Sequence, residues 1–196
     1  MTASTLRHLV AAAAAGALTT STALAQQGGM AQPGGMTAAA DPIASAQSAA
    51  PAAVSANATI VIMDAKGATT TLRKGTNGWT CMPDAPDTPG PDPMCFDANA
   101  AKWAQAWIGH KAPPTSAVGV MYMLAGGTDA SNTDPYATKP TAENAWVNTG
   151  PHIMIVGSKD VLAGHPAGAK PDTAAPYVMW AGTPYAHLMV PVSPKP

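Results

Sequence analysis

Charge is scarce in this chain: 11% of its 196 residues are Asp, Glu, Lys or Arg, against about a quarter in ordinary soluble domains. Ten basic and 11 acidic residues leave a formal net charge of −1, so a basic surface for nucleic acid is not expected. Glutamate occurs once, at Glu143, and a carboxylate pair for glycoside hydrolysis would have to come mostly from aspartates. The chain also lacks a Gly-x-Ser-x-Gly elbow, a Gly-x-x-x-x-Gly-Lys phosphate loop, a Gly-x-Gly-x-x-Gly turn and a His-Glu-x-x-His helix. A Ser/His/Asp set built from Ser116 or Ser158 with His165 is one that any chain of this length offers by chance. No catalytic motif is found, and a non-enzymatic role is favoured.

Cysteine is nearly absent as well, with Cys81 and Cys95 alone. There is no Cys-x-x-Cys, and the spacing suits no common zinc module. An even count in an exported chain favours a single disulfide. The N-terminus supplies the export signal: Arg7 and His8, the short apolar run Leu9 to Leu18, and Ala23-Leu24-Ala25 before a cleavage site. That run is too short and alanine-rich to span a bilayer, which takes about 20 apolar residues, and no second span follows. The expectation is a signal peptide over 1–25 and no integral membrane span after cleavage, with the product periplasmic or extracellular.

Residues 26–57 are low in complexity, with Asp41 as their one charge and Ile43 and Val54 as their only large branched apolar groups. Such a segment reads as a flexible linker. The globular domain is expected over 58–196. Gly (18) and Pro (20) are plentiful, which implies many turns. Strands are predicted at Thr59–Met63, Thr69–Arg73, Val118–Leu124, His152–Val156, Tyr177–Trp180 and His187–Val190. The segment between the cysteines shows little helix or strand character, and Ala142–Val147 reads as a short helical turn. One clear helix is predicted over about 97–109, with Asp97 as N-cap, Trp103 and Trp107 on its inner face and Gly109 at its end. The fold class is therefore α+β, a mainly antiparallel sheet of five or six short strands with one main helix. A β-sandwich with an added helix is the alternative.

Three stretches are distinctive as a set: Arg73-Lys74-Gly75-Thr76-Asn77-Gly78-Trp79-Thr80-Cys81, Asp129-Ala130-Ser131-Asn132-Thr133-Asp134-Pro135, and Trp180-Ala181-Gly182-Thr183-Pro184-Tyr185. Together they span most of the domain and resemble a group of uncharacterised bacterial exported proteins. No activity attaches to that group, so the resemblance implies nothing about chemistry.

The most suggestive pattern is a doubled His-x-Met, His152-Ile153-Met154 and His187-Leu188-Met189, each inside a predicted strand. Residues two apart on a strand share a face. If the strands are neighbours, His152, Met154, His187 and Met189 bring imidazole and thioether together, a soft donor set that suits copper, Cu(I) above all. In its ligand types the pattern resembles small periplasmic copper chaperones, without their full motif. Met121, Met123 and Met179 are candidates to lie nearby. Core packing accounts for the same residues in another way, since Met fills irregular gaps and the chain has one Phe.

A second candidate is the loop 126–140, where Asp129, Asn132 and Asp134 crowd three oxygen-bearing side chains together. It lacks the EF-hand order, and Asx residues also build turns for their own sake. With Trp79, Trp146, Trp180, Tyr136, Tyr177 and Tyr185 near Gly- and Pro-rich turns, the loop suggests a polar-ligand or carbohydrate-binding surface. The functional expectation is thus a small exported binding protein for a metal ion or small ligand. Oligomeric state is not legible.

Overall fold

A computed structural model describes residues 41–64, 67–88 and 90–192. The expected signal peptide and residues 26–40 lie outside the described residues. Ten strands form an eight-stranded sheet and a separate two-stranded one. The large sheet is built from β1 (Thr59–Met63), β2 (Thr69–Arg73), β3 (Thr80–Met82), β4 (Met94–Phe96), β5 (Gly119–Met123), β8 (His152–Val156), β9 (Tyr177–Met179) and β10 (His187–Pro191). Their order is β2-β1-β3-β4-β5-β8-β10-β9. Every pairing is antiparallel except β1 with β3. The small sheet pairs β6 (Ala130–Ser131) with β7 (Trp146–Val147). The α+β class holds, with more strands than the periodicity suggested and, among the described residues, one large sheet rather than two packed as a sandwich.

The additional strands are two or three residues long, too short for alternation to register. Two of them, β3 and β4, carry the cysteines. Cys81 and Cys95 stand directly opposite each other and form the disulfide, so the ends of that loop are strand after all. Likewise Trp146–Val147 is strand, not helical turn.

Helix α3 (Ala98–Ile108) covers one face of the sheet. Asp97 starts it by accepting a hydrogen bond from the Ala100 amide (2.8 Å), a standard N-cap. Its second carboxylate oxygen accepts from the Val120 amide (3.1 Å), so the cap also pins the helix to β5. Gly119 allows this close approach: a Cβ there would lie 2.3 Å from the Ala100 nitrogen.

The other face receives α1 (Pro42–Ser48) and α2 (Ala52–Ser55), which corrects the reading of residues 26–57 as a linker throughout. Ala46, Ala49 and Ala50 are buried with Ile60 and the disulfide, and Ile43 and Val54 pack against them. Alanine lets a short helix approach a sheet closely. The two branched residues that seemed too few to order a tether are enough when a sheet face is waiting for them.

Candidate functional site

The α3 side of the sheet encloses a cavity of about 270 Å³ lined by eight methionines and by both strand histidines, His152 and His187. The chain has 11 methionines, and the eight that line the cavity are all of those after residue 36. The opposite core, made of alanine, Ile60, the disulfide, Trp79 and Tyr122, has none. Methionine is therefore not this protein's general core filler.

Strand register orders the lining in three rows. In the middle row Phe96 pairs with Met121, Met121 with Met154, Met154 with Met189 and Met189 with Tyr177. On one side, Met82 pairs with Met94 and Met123 with His152, whose partner on β10 is Pro191. One step along the β4–β5 register brings Met94 opposite Met123. On the other side, His187 pairs with Met179. Met154 and Met189 are thus direct neighbours, while His152 and His187 stand at opposite ends of the β8–β10 pair. Four residues of strand separate them, roughly 13 Å. The four sequence-predicted ligands all line this one cavity, with Met154 and Met189 directly paired and the two histidines anchored at opposite ends of the β8–β10 pair.

Each histidine is prepared in the same way. Nδ1 of His187 lies 3.0 Å from the Tyr185 carbonyl, and Nδ1 of His152 lies 2.7 Å from the Gly150 carbonyl. A carbonyl only accepts, so both Nδ1 atoms donate, and each Nε2 keeps its lone pair. This is the outer-shell arrangement that orients metal-binding imidazoles. His187 is 1% exposed, and its Nε2 is buried with no hydrogen-bond partner. Burial pushes its pKa down to about 4; the Tyr185 carbonyl opposes this and the like charge of His152 adds to it. His152, 2% exposed, is also held below its ordinary value, mainly by burial, with the Gly150 carbonyl pulling the other way. Both rings are neutral at pH 7.

Aromatic rings wall the His187 end. The Trp103 ring is centred 5.3 Å from His187 and the Trp180 ring 4.8 Å, both edge-on, and the two indoles stack at 6.2 Å. Trp180 has φ +55°, a strained conformation for a bulky residue. It is held there by its amide donating to the Asn132 carbonyl (2.9 Å) and its indole Nε1 donating to the Ser131 carbonyl (2.8 Å).

That places the 126–140 loop. Asn132 is buried, and its Nδ2 donates to the carbonyls of Gly168 and Ala169. Asp134 accepts from the Tyr136 amide and Asp129 from the Asn148 side chain. These three side chains make turn and loop contacts, and do not converge. Among the aromatics suggested for a ligand platform, Tyr136 is exposed, whereas Trp180, Tyr177 and Tyr185 are buried.

Among the described residues, no three His, Cys, Asp or Glu side chains gather to hold a metal ion. The donors in the cavity are mostly thioethers and neutral imidazoles; Asp92, Thr128 and Thr149 also line it, and Asp92 accepts hydrogen bonds from Thr128 Oγ1 (3.0 Å) and the Ala85 amide (2.9 Å). Sequence reasoning missed Met63, Met82 and Met94, which lie on β1, β3 and β4 near the disulfide. Met82-Pro83 and Pro93-Met94 flank turns, and only the pairing of β3, β4 and β5 turns these side chains toward the histidine strand.

Fold and site define an α+β protein with a disulfide-stapled sheet and a methionine–histidine cavity beneath one helix. No helix among the described residues is long and apolar enough to cross a membrane, and the disulfide is compatible with export. No protein family, curated protein or solved structure was found to match the chain.

Proposed function

We infer that this is an exported binding protein that captures a soft monovalent metal ion, Cu(I), in the methionine-lined cavity. The observation that carries the reading is His187: a neutral imidazole, oriented through Nδ1, with its Nε2 buried and unpartnered, on the lining of a methionine-rich cavity. A buried polar atom without a partner costs about 1–3 kcal/mol, and ligation of an ion would offset that. Met179 is its cross-strand neighbour, Met189 is two residues along its own strand, and Met154 is diagonal to it. These are the sulfur donors within reach.

The charge balance favours a monovalent ion. Asp92 is the one carboxylate among the residues lining the cavity, and it is engaged by Thr128 Oγ1 and the Ala85 amide, so a divalent cation would exchange its hydration for mostly neutral donors in a low-dielectric space. Soft thioether donors select Cu(I) over harder ions, and the faces of nearby indoles are favourable to cations. The cavity itself also needs an explanation. An enclosed void of this size would cost on the order of 6 kcal/mol, and methionine is the side chain best able to fill a gap. Even as an upper bound for a partly open space, that is large beside a domain's net stability.

The test is anaerobic Cu(I) titration of the mature protein against a chromophoric Cu(I) chelator, compared with the His152→Ala/His187→Ala double variant. At least a tenfold loss of affinity in the variant is expected. Equal affinity in both, or uptake of a small apolar probe such as benzene with no copper bound, removes the reading.

A polar-ligand or carbohydrate-binding role retains one supporting observation, a surface recess of about 430 Å³ lined by Asp134, Tyr136, Lys139 and Glu143. Binding on a glycan array that is lost in Tyr136→Ala would bring that reading forward.

A further inference from the structure

The row Met82–Met94–Met123–His152 has no part in the shell around His187, yet it repeats the same chemistry. Met82 faces Met94 and Met123 faces His152 in direct cross-strand pairs, and the β4–β5 register sets Met94 beside Met123. Opposed residues on paired strands have Cβ atoms about 4.5–5.5 Å apart. Flexible thioethers at that spacing can close on one ion together with an imidazole. We propose that Met94, Met123 and His152, with Met82 at the end of the row, form a second and separate site for a soft monovalent ion. This rests on the soft-metal reading of the cavity and extends it to two ions.

Register sets the two sites apart. His152 lies opposite Pro191, four residues along β10 from His187, and each ring is tied through Nδ1 to a different carbonyl, Gly150 for His152 and Tyr185 for His187. Each imidazole therefore has its own nearest methionines, Met123 and Met94 for His152 and Met179 and Met189 for His187. The His152 ring is positioned independently of the inner site. Its Nδ1 is tied to Gly150, and its edge lies against Gly127, where a Cβ would come 2.8 Å from the ring Cε1. Position distinguishes the two sites further. The His187 end is closed by Trp103 and Trp180, while Met63 on the cavity lining beyond Met82 is 44% exposed. An arriving ion would meet the methionine row first, and the inner site would fill from it.

The probe is Ag(I), which matches Cu(I) in charge and softness without its redox chemistry. The mature chain is used with Met30→Leu and Met36→Leu, so that the N-terminal methionines contribute no ions. Native mass spectrometry should count two Ag(I) per chain, one in His187→Leu and one in Met94→Leu/Met123→Leu. The combined variant should bind none. Met-to-Leu changes nearly conserve volume, and near-UV circular dichroism verifies folding of each variant. Two-dimensional NMR of the methionine ε-methyl groups should show separate sets shifting for the two ions, Met94 and Met123 in one and Met179 and Met189 in the other. A single ion lost equally in either variant overturns the second site and leaves the metal reading standing. No ion bound by the starting protein overturns both.

Discussion

Acid should destabilise this protein through His187, by an amount the structure sets. The native imidazole has its pKa pushed down to about 4 from an ordinary 6.5, chiefly because its charged form would be cut off from water. The unfolded chain takes up its proton near the ordinary value, and the native protein does so only near 4. The contribution of neutral His187 is therefore fully present above about pH 6.5 and is lost as pH falls to about 4. A gap of about 2.5 units at about 1.4 kcal/mol each comes to roughly 3 kcal/mol. The assay is urea unfolding followed by tryptophan fluorescence at pH 7, 5.5 and 4, in the wild type and in His187→Leu. Carboxylates titrate in both proteins, so the difference between their pH profiles isolates His187. The wild type should lose about 3 kcal/mol more than the variant between pH 7 and pH 4. Parallel profiles would refute the reasoning. His152 shifts in the same direction, so its removal should flatten the profile further.

Three further outcomes follow from single contacts. Gly127→Ala places a Cβ 2.8 Å from His152 Cε1 and 2.4 Å from Thr149 Oγ1; isothermal titration with Ag(I) should show the His152-side ion weakened at least tenfold and the His187-side ion unchanged. Asp97→Ala removes the α3 cap and leaves the Val120 amide without its side-chain partner, so urea denaturation should show a loss of about 2 kcal/mol. Cys81→Ala/Cys95→Ala opens a loop with a sequence separation of 14, and the chain-entropy loss of about 3 kcal/mol should appear as a lower urea midpoint than that of the oxidised protein.

Much of the frame was legible. Asp97, Trp103 and Gly109 marked α3, because a cap, an apolar spacing and a stop are all local signals. The β-branched or alternating runs at 59–63, 118–124, 152–156 and 187–190 marked strands for the same reason. Helices α1 and α2 were missed because alanine and serine carry no strong pattern. What orders those residues is the apolar face of β1, β3 and β4, which is distant in sequence. The 126–140 loop misled in a different way. Asp134 serves a local turn while Asn132 and Asp129 bond to segments outside the loop, and Asn132 and Ser131 lend their carbonyls to Trp180, a contact across 49 residues for the indole.

By itself the sequence determined the chemistry available: soft donors, no clustered carboxylates, two cysteines, and His-x-Met pairs placed on strands where each shares a face. Only the tertiary structure decided where those donors meet. Register between strands far apart in the chain gathered all eight methionines after residue 36 on one side of the sheet, and the same register set the two histidines at opposite ends. Alternation tells which residues share a face of one strand. Which strands lie side by side, and how far each is slid along its neighbour, depends on contacts that no local pattern encodes.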